Sequence, residues 1–171
     1  MESHLEFMKK QSEFAHDLAR LGKFWNKTLY FEDYVPGRST IIELIAVDAA
    51  WKTEQKFGKP NYVNGFEIFL DQMTKLDTVK LYFTDFWPKV TKEPLRFHSG
   101  PIILEPNNPY NNFGTGLKPG IVQKFKEYAM ETIHRLSYYK DRRCNPIQLL
   151  VPQCNDEVPL LRCFRPYHSP T

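Results

Sequence analysis

Ser99–Gly116, SGPIILEPNNPYNNFGTG, combines three prolines, four asparagines and three glycines with an apolar run, Pro101–Leu104. Proline fixes φ and has no N–H to donate, while Asn and Gly accept turn conformations closed to most residues. The mixture predicts a short extended segment that enters a core and leaves it through consecutive turns. A path this constrained suits fixed architecture better than a flexible linker. Glu105 and Asn107–Asn112 carry side chains able to hydrogen-bond the backbone in such turns, so an architectural role is preferred over ligand contact.

Helical patterns flank the stretch. On its C-terminal side, Ile121, Phe125, Tyr128, Ala129, Thr132, Ile133 and Leu136 mark a long helix from about Pro119, a residue suited to a first turn. At the other end of the chain, residues 2–27 read as one helix with Phe14, Leu18, Leu21 and Trp25 on a single face, extended weakly backwards by Leu5 and Met8. A turn at Tyr34–Ser39, centred on Pro36-Gly37, separates it from a second helix. That helix starts near Ser39 or Thr40, either a fair N-cap, and runs to about Lys56. Ile41, Leu44, Ile45, Val47 and Ala49–Trp51 make it apolar over most of its circumference, the mark of a central helix.

A third helix follows Gly58, Pro60 and Asn61. Asn64 is its expected N-cap, with Glu67 three residues on in a capping-box pattern; Phe66, Phe69, Leu70, Met73 and Leu76 supply the buried face. Val79–Trp87, VKLYFTDFW, alternates as a strand would, yet periodicity does not separate a strand from an aromatic helix over so short a run. Beyond Ser137 the prolines at 146, 152, 159, 166 and 170 end helical periodicity. The apolar patches Leu149–Val151 and Val158–Leu161 would strap this extended tail across the bundle; alternatively the tail folds only on a partner. The expected fold is mainly α: a bundle of four to five helices with a short extended segment over residues 1–137, and a proline-rich tail over 138–171.

A chain of 171 residues with 42% hydrophobic and 15% aromatic content is large and apolar enough for one domain with a real core. A net charge of +3 permits an anionic partner without requiring one. Cys144, Cys154 and Cys163 are odd in number and widely spaced, which fits free thiols better than a disulfide framework or a metal site. MESHLEFMKK at the start has no apolar core of a signal peptide. Ile41–Ala50, the most apolar run, is broken by Glu43 and Asp48 and is far shorter than a membrane span. A cytoplasmic or nuclear protein without a membrane contact is expected.

Reactive constellations are largely missing. There is no Gly-rich phosphate loop, HExxH, GxSxG or paired-cysteine signature. The five histidines show no metal-ligand spacing. No two carboxylates are separated by a single residue, so the pair that would hold two metal ions for nucleotidyl transfer is absent from the sequence. Neither a metal nor any other cofactor is called for.

Three stretches together resemble the C-terminal helical domain of the 2'-5'-oligoadenylate synthetases. Leu18–Trp25, LARLGKFW, is similar to that family's L-x-x-L-x-K-x-W helix. Ile42–Ile45 with Trp51 resembles its LELL…AW helix. PIILEPNNPYNNFG closely follows its PVILDPADPTNNVG, and order and approximate spacing agree over about residues 10–136. The proline-rich block is the most specific of the three.

The resemblance implies a mainly helical domain whose relatives carry their metal-binding carboxylates on a separate N-terminal nucleotidyltransferase domain. Only about nine residues precede the matched part here. The chain is therefore expected not to make oligoadenylate on its own, being either a free-standing domain or a piece of a longer protein. In the family the Lys of K-x-W reaches the nucleotide triphosphate, and Lys23 occupies that position. A compact ammonium suits a phosphate, although an ordinary exposed lysine is the preferred reading. The family's base-stacking tyrosine lies seventeen residues further on, where this chain has Thr40. Family members also hold double-stranded RNA on basic residues, of which Lys9 and Lys10 are a weak echo. The expectation is a non-catalytic binding or scaffold module contacting RNA or, through its tail, protein. The alternative is the acceptor-side half of an active nucleotidyltransferase that binds ATP and double-stranded RNA together with an N-terminal catalytic domain.

Overall fold

A computed structural model describes residues 4–84 and 100–140, with side chains through 138. The elements in order are α1 (His4–Lys9), α2 (Glu13–Thr28), α3 (Arg38–Phe57), α4 (Tyr62–Thr74), a 3-10 turn at Leu76–Thr78, β1 (Lys80–Leu81), β2 (Ile102–Glu105), β3 (Asn108–Asn112), a second 3-10 turn at Phe113–Gly116, and α5 (Pro119–Lys140). The architecture is mainly α: among the described residues, five helices gather around one core, with a small three-stranded sheet in the order β1-β2-β3.

The helix expected over 2–27 is in fact two. Ser12 adopts extended backbone and its Oγ accepts from Ala15 N at 3.2 Å, so a new helix starts at Glu13. Two other starts also move. At α3 the capping position is Gly37, held at φ 67° with no side-chain cap, which places Ser39 and Thr40 inside the first turn. At α4 the cap is Asn61, whose side chain accepts from Asn64 N at 2.9 Å; Asn64 is therefore a helical residue and not the cap.

α3 is the centre of the bundle, with buried residues on every side of it from Ile41 to Thr53. Trp25 is fully buried and crosses from α2 to α5, its Nε1 donating to Thr132 Oγ1 at 2.9 Å. The Trp25 ring stands edge-on to Phe69 at 5.6 Å, so α4 meets the same residue. This one indole joins three helices.

The proline-rich block takes the path its composition predicts. Ile102, Ile103 and Leu104 on β2 are all buried. β2 runs parallel to β1, with Lys80 opposite Ile102 and Leu81 opposite Ile103, and antiparallel to β3, with Leu104 opposite Asn112. Of Val79–Trp87, residues Lys80–Leu81 are thus a short strand; 85–87 lie outside the described residues, as does the tail beyond 140 with its three cysteines. Asn112 closes the block. Its Oδ1 accepts from Ile103 N at 2.8 Å and Gly114 N at 2.9 Å, while its Nδ2 donates to Pro101 O at 3.2 Å. A Cβ on Gly114 would lie 2.0 Å from Pro101 O, so only glycine fits there. Asn111 Nδ2 donates to Glu105 Oε2 at 2.9 Å. These bonds give the block the architectural role expected of it.

Candidate binding cleft

The last turns of α2 carry Lys23, Asn26 and Lys27, an i, i+3, i+4 set that shares one helix face. After Leu29 the chain loops through residues 30–37 and re-enters helix at Arg38. Between the end of α2, this loop and the start of α3 lies a cleft of about 640 Å³, lined by Lys23, Asn26, Lys27, Phe31, Tyr34, Arg38, Ser39 and Thr40 among others. Lys23 and Thr40 thus share one cavity despite their separation in sequence.

The loop is held from below by α5. Phe31 packs on Phe125 at 4.6 Å and on Tyr128 at 5.9 Å, and Tyr128 Oη donates to Tyr30 O at 2.9 Å. Glu32 and Asp33 reach Lys124 and Lys118 at 3.5 and 3.6 Å. The Arg38 guanidinium lies over the Phe31 ring, 5.2 Å from its centroid. Tyr34, by contrast, is 87% exposed.

Electrostatically the cleft is mixed. Lys27 is exposed, and the first turn of α3 has no side-chain cap, so its positive end faces the same space. Asn26 is buried, and its Oδ1 has no hydrogen-bond partner among the described residues. Lys23 is different, because its Nζ is paired with Glu43 Oε1 on α3. Glu43 Oε2 also accepts from His4 Nε2 on α1 at 2.6 Å. Burial pushes the Glu43 carboxyl up, but the hydrogen bonds and charges of His4 and Lys23 outweigh it and hold the carboxyl below its ordinary value.

Lys9 and Lys10 lie elsewhere. Lys9 pairs with Glu6 at 2.9 Å on its own helix, Lys10 is exposed just beyond it, and neither lines the cleft. Asn26, Lys27 and Arg38 escaped the sequence reading. The spacing of Asn26 and Lys27 from Lys23 was an available signal, whereas Arg38 has no local pattern to mark it. His4 and Glu43 were missed for the same lack of local pattern, being 39 positions apart. Among the described residues no group of three or more His, Cys, Asp or Glu side chains is arranged to hold a metal ion, and no helix is long and apolar enough to cross a membrane.

No curated protein and no solved structure gives a significant match to the chain. A family model does: 2'-5'-oligoadenylate synthetase 1, domain 2, C-terminus, over residues 1–149. That match spans most of the chain and includes every described element, from α1 to α5. The chain belongs to the family of the 2'-5'-oligoadenylate synthetase C-terminal domain.

Proposed function

We propose that this domain works as a non-catalytic binding module, a scaffold derived from the synthetase C-terminal domain that contacts protein or RNA. One observation carries the reading: the two positions matching the family's nucleotide contacts are poorly equipped for them. Lys23 is already engaged by Glu43, and Thr40 has no ring on which a base could stack. An aromatic platform contributes about 1–3 kcal/mol per base, and threonine offers none of it. Lys9 and Lys10 are the residues proposed for RNA, and the proline-rich tail for a protein partner. No membrane contact is proposed.

Calorimetry with ATP and electrophoretic titration with duplex RNA, both on the full chain, test this reading. Absence of heat at millimolar ATP, with RNA affinity that falls on raising salt and in Lys9→Ala/Lys10→Ala, supports it. Saturable ATP binding that disappears in Lys23→Ala would replace it.

The replacement would be the acceptor-side half of a nucleotidyltransferase, working with an N-terminal catalytic domain on ATP and double-stranded RNA. Its own support is the convergence of Lys23, Lys27, Arg38 and the first turn of α3 on one cleft.

A further inference from the structure

Glu43 stands between hydrogen-bond donors from two other helices. Oε1 meets Lys23 of α2 and Oε2 meets His4 of α1. The carboxylate side chain is only 16% exposed, and that of Lys23 is 37% exposed. Lys23 lines the cleft, whereas Glu43 is not among the lining residues. The carboxylate therefore draws on the cleft's cation from behind.

We infer that Glu43 is an internal counter-ion that competes with anionic ligands for Lys23, and that α1, through His4, sets the strength of the competition. The inference rests on the second reading above, in which the cleft takes an anionic ligand. A fully exposed lysine–carboxylate pair is worth little in water, and an arriving phosphate would displace it easily. α1 alters that balance in two ways. It covers the carboxylate, which reduces solvent screening of the pair. It also donates to the second oxygen, so the carboxylate cannot turn away from Lys23 without giving up the His4 bond.

α1 is suited to be a removable element. Six residues make too short a helix to be stable alone. It is anchored by Met8, 8% exposed, and Phe7, 1% exposed, whose ring meets Phe83 at 5.1 Å and Trp51 at 6.3 Å. His4 lies one turn earlier on the same helix, so undocking of α1 would release Glu43 as well. Lys27 and Arg38 are not engaged by Glu43 and would meet a ligand first. Freeing Lys23 would then let its ammonium serve the same ligand.

The probe is inorganic tripolyphosphate, titrated calorimetrically into the full chain at low ionic strength, with circular dichroism confirming that each variant is folded. Glu43→Gln should bind about five- to tenfold more tightly than wild type. His4→Ala should bind more tightly by a smaller factor, and Lys23→Ala in the Glu43→Gln background should erase the gain. Measurable binding by wild type with no gain, or a loss, in Glu43→Gln would overturn the counter-ion role while leaving the cleft as an anion surface. No binding by any variant overturns both. Should Glu43→Gln not fold, His4→Ala decides alone: a gain supports the inference and its absence overturns it.

Discussion

Trp25 on α2 and Thr132 on α5, 107 positions apart, meet in a buried 2.9 Å hydrogen bond. Thr132 Oγ1 in turn donates to Tyr128 O at 2.7 Å, one turn back on its own helix. The threonine is thus both acceptor and donor, and the indole N–H has its partner inside the core.

Thr132→Val removes the acceptor and leaves that N–H buried without one. The expected cost is about 1–3 kcal/mol. Trp25→Phe removes the donor together with ring volume at a site in contact with Phe69, for about 2–4 kcal/mol. Because the two share one bond, the double variant should cost less than the sum of the singles. Urea unfolding midpoints at constant slope measure all three, and strict additivity would argue that the bond contributes nothing.

Asn112→Ala deletes the acceptor of two buried N–H groups at once and the donor to Pro101 O. A loss of about 2–4 kcal/mol is expected, more than a solvent-facing asparagine would give. Asn112→Asp keeps the acceptors and should lie between wild type and alanine. Thermal melts of the three proteins rank them; an unaffected Asn112→Ala would show that the block closes by other means.

Ser12→Ala tests the break between α1 and α2. The Ser12 Oγ cap on Ala15 N is replaced by nothing, so stability should fall by about 1 kcal/mol. Ser12→Asp should recover most of it, since aspartate caps equally well and suits the positive end of a helix. A chemical denaturation series reads the difference directly.

The Glu43 carboxyl is held below its ordinary value of 4.5 in the folded chain. A lowered folded-state value means that the contribution to stability is fully present above pH 4.5 and fades as pH falls through the lower folded-state value. The stability advantage of wild type over Glu43→Gln should therefore shrink as pH falls below about 4.5. Guanidinium midpoints taken from pH 7 down to pH 3.5 check this, and an advantage independent of pH would exclude the ion pairs as its source.

Much of the bundle is written in local pattern. The apolar circumference of Ile41–Ala50 announces a central helix, and Pro119 with the spaced Ile121, Phe125 and Ala129 announces α5. The failures all concern where helices start, which backbone conformation at the cap decides: left-handed at Gly37 and extended at Ser12 and Asn61. Ser12 falls inside a continuous periodic run, so nothing local distinguishes a capping serine from one on the solvent face. Asn61 and Asn64 are three residues apart and both chemically able to cap; the extended backbone at Asn61 decides it. In the cleft, Lys23 is legible through the K-x-W pattern, but its engagement is not. Whether a lysine is available or neutralised depends on Glu43 and His4, which only the packing of α1 and α3 on α2 brings near.

The contact between Gly114 and the carbonyl of Pro101 gives the proline-rich block a property of inheritance. Its two ends touch, so Pro101, Ile103, Asn112 and Gly114 form a closed clasp in which a change at one end must be answered at the other. The turn between β2 and β3 and the start of β3, the crown of the block, are released from that requirement: Asn108 and Tyr110 face solvent, the tyrosine being 66% exposed. Residues at the crown can drift, and even gain length, while the clasp stays shut, because surface loops tolerate insertion far better than buried backbone does. A descendant of this domain should then stay identifiable by the clasp long after the crown has changed.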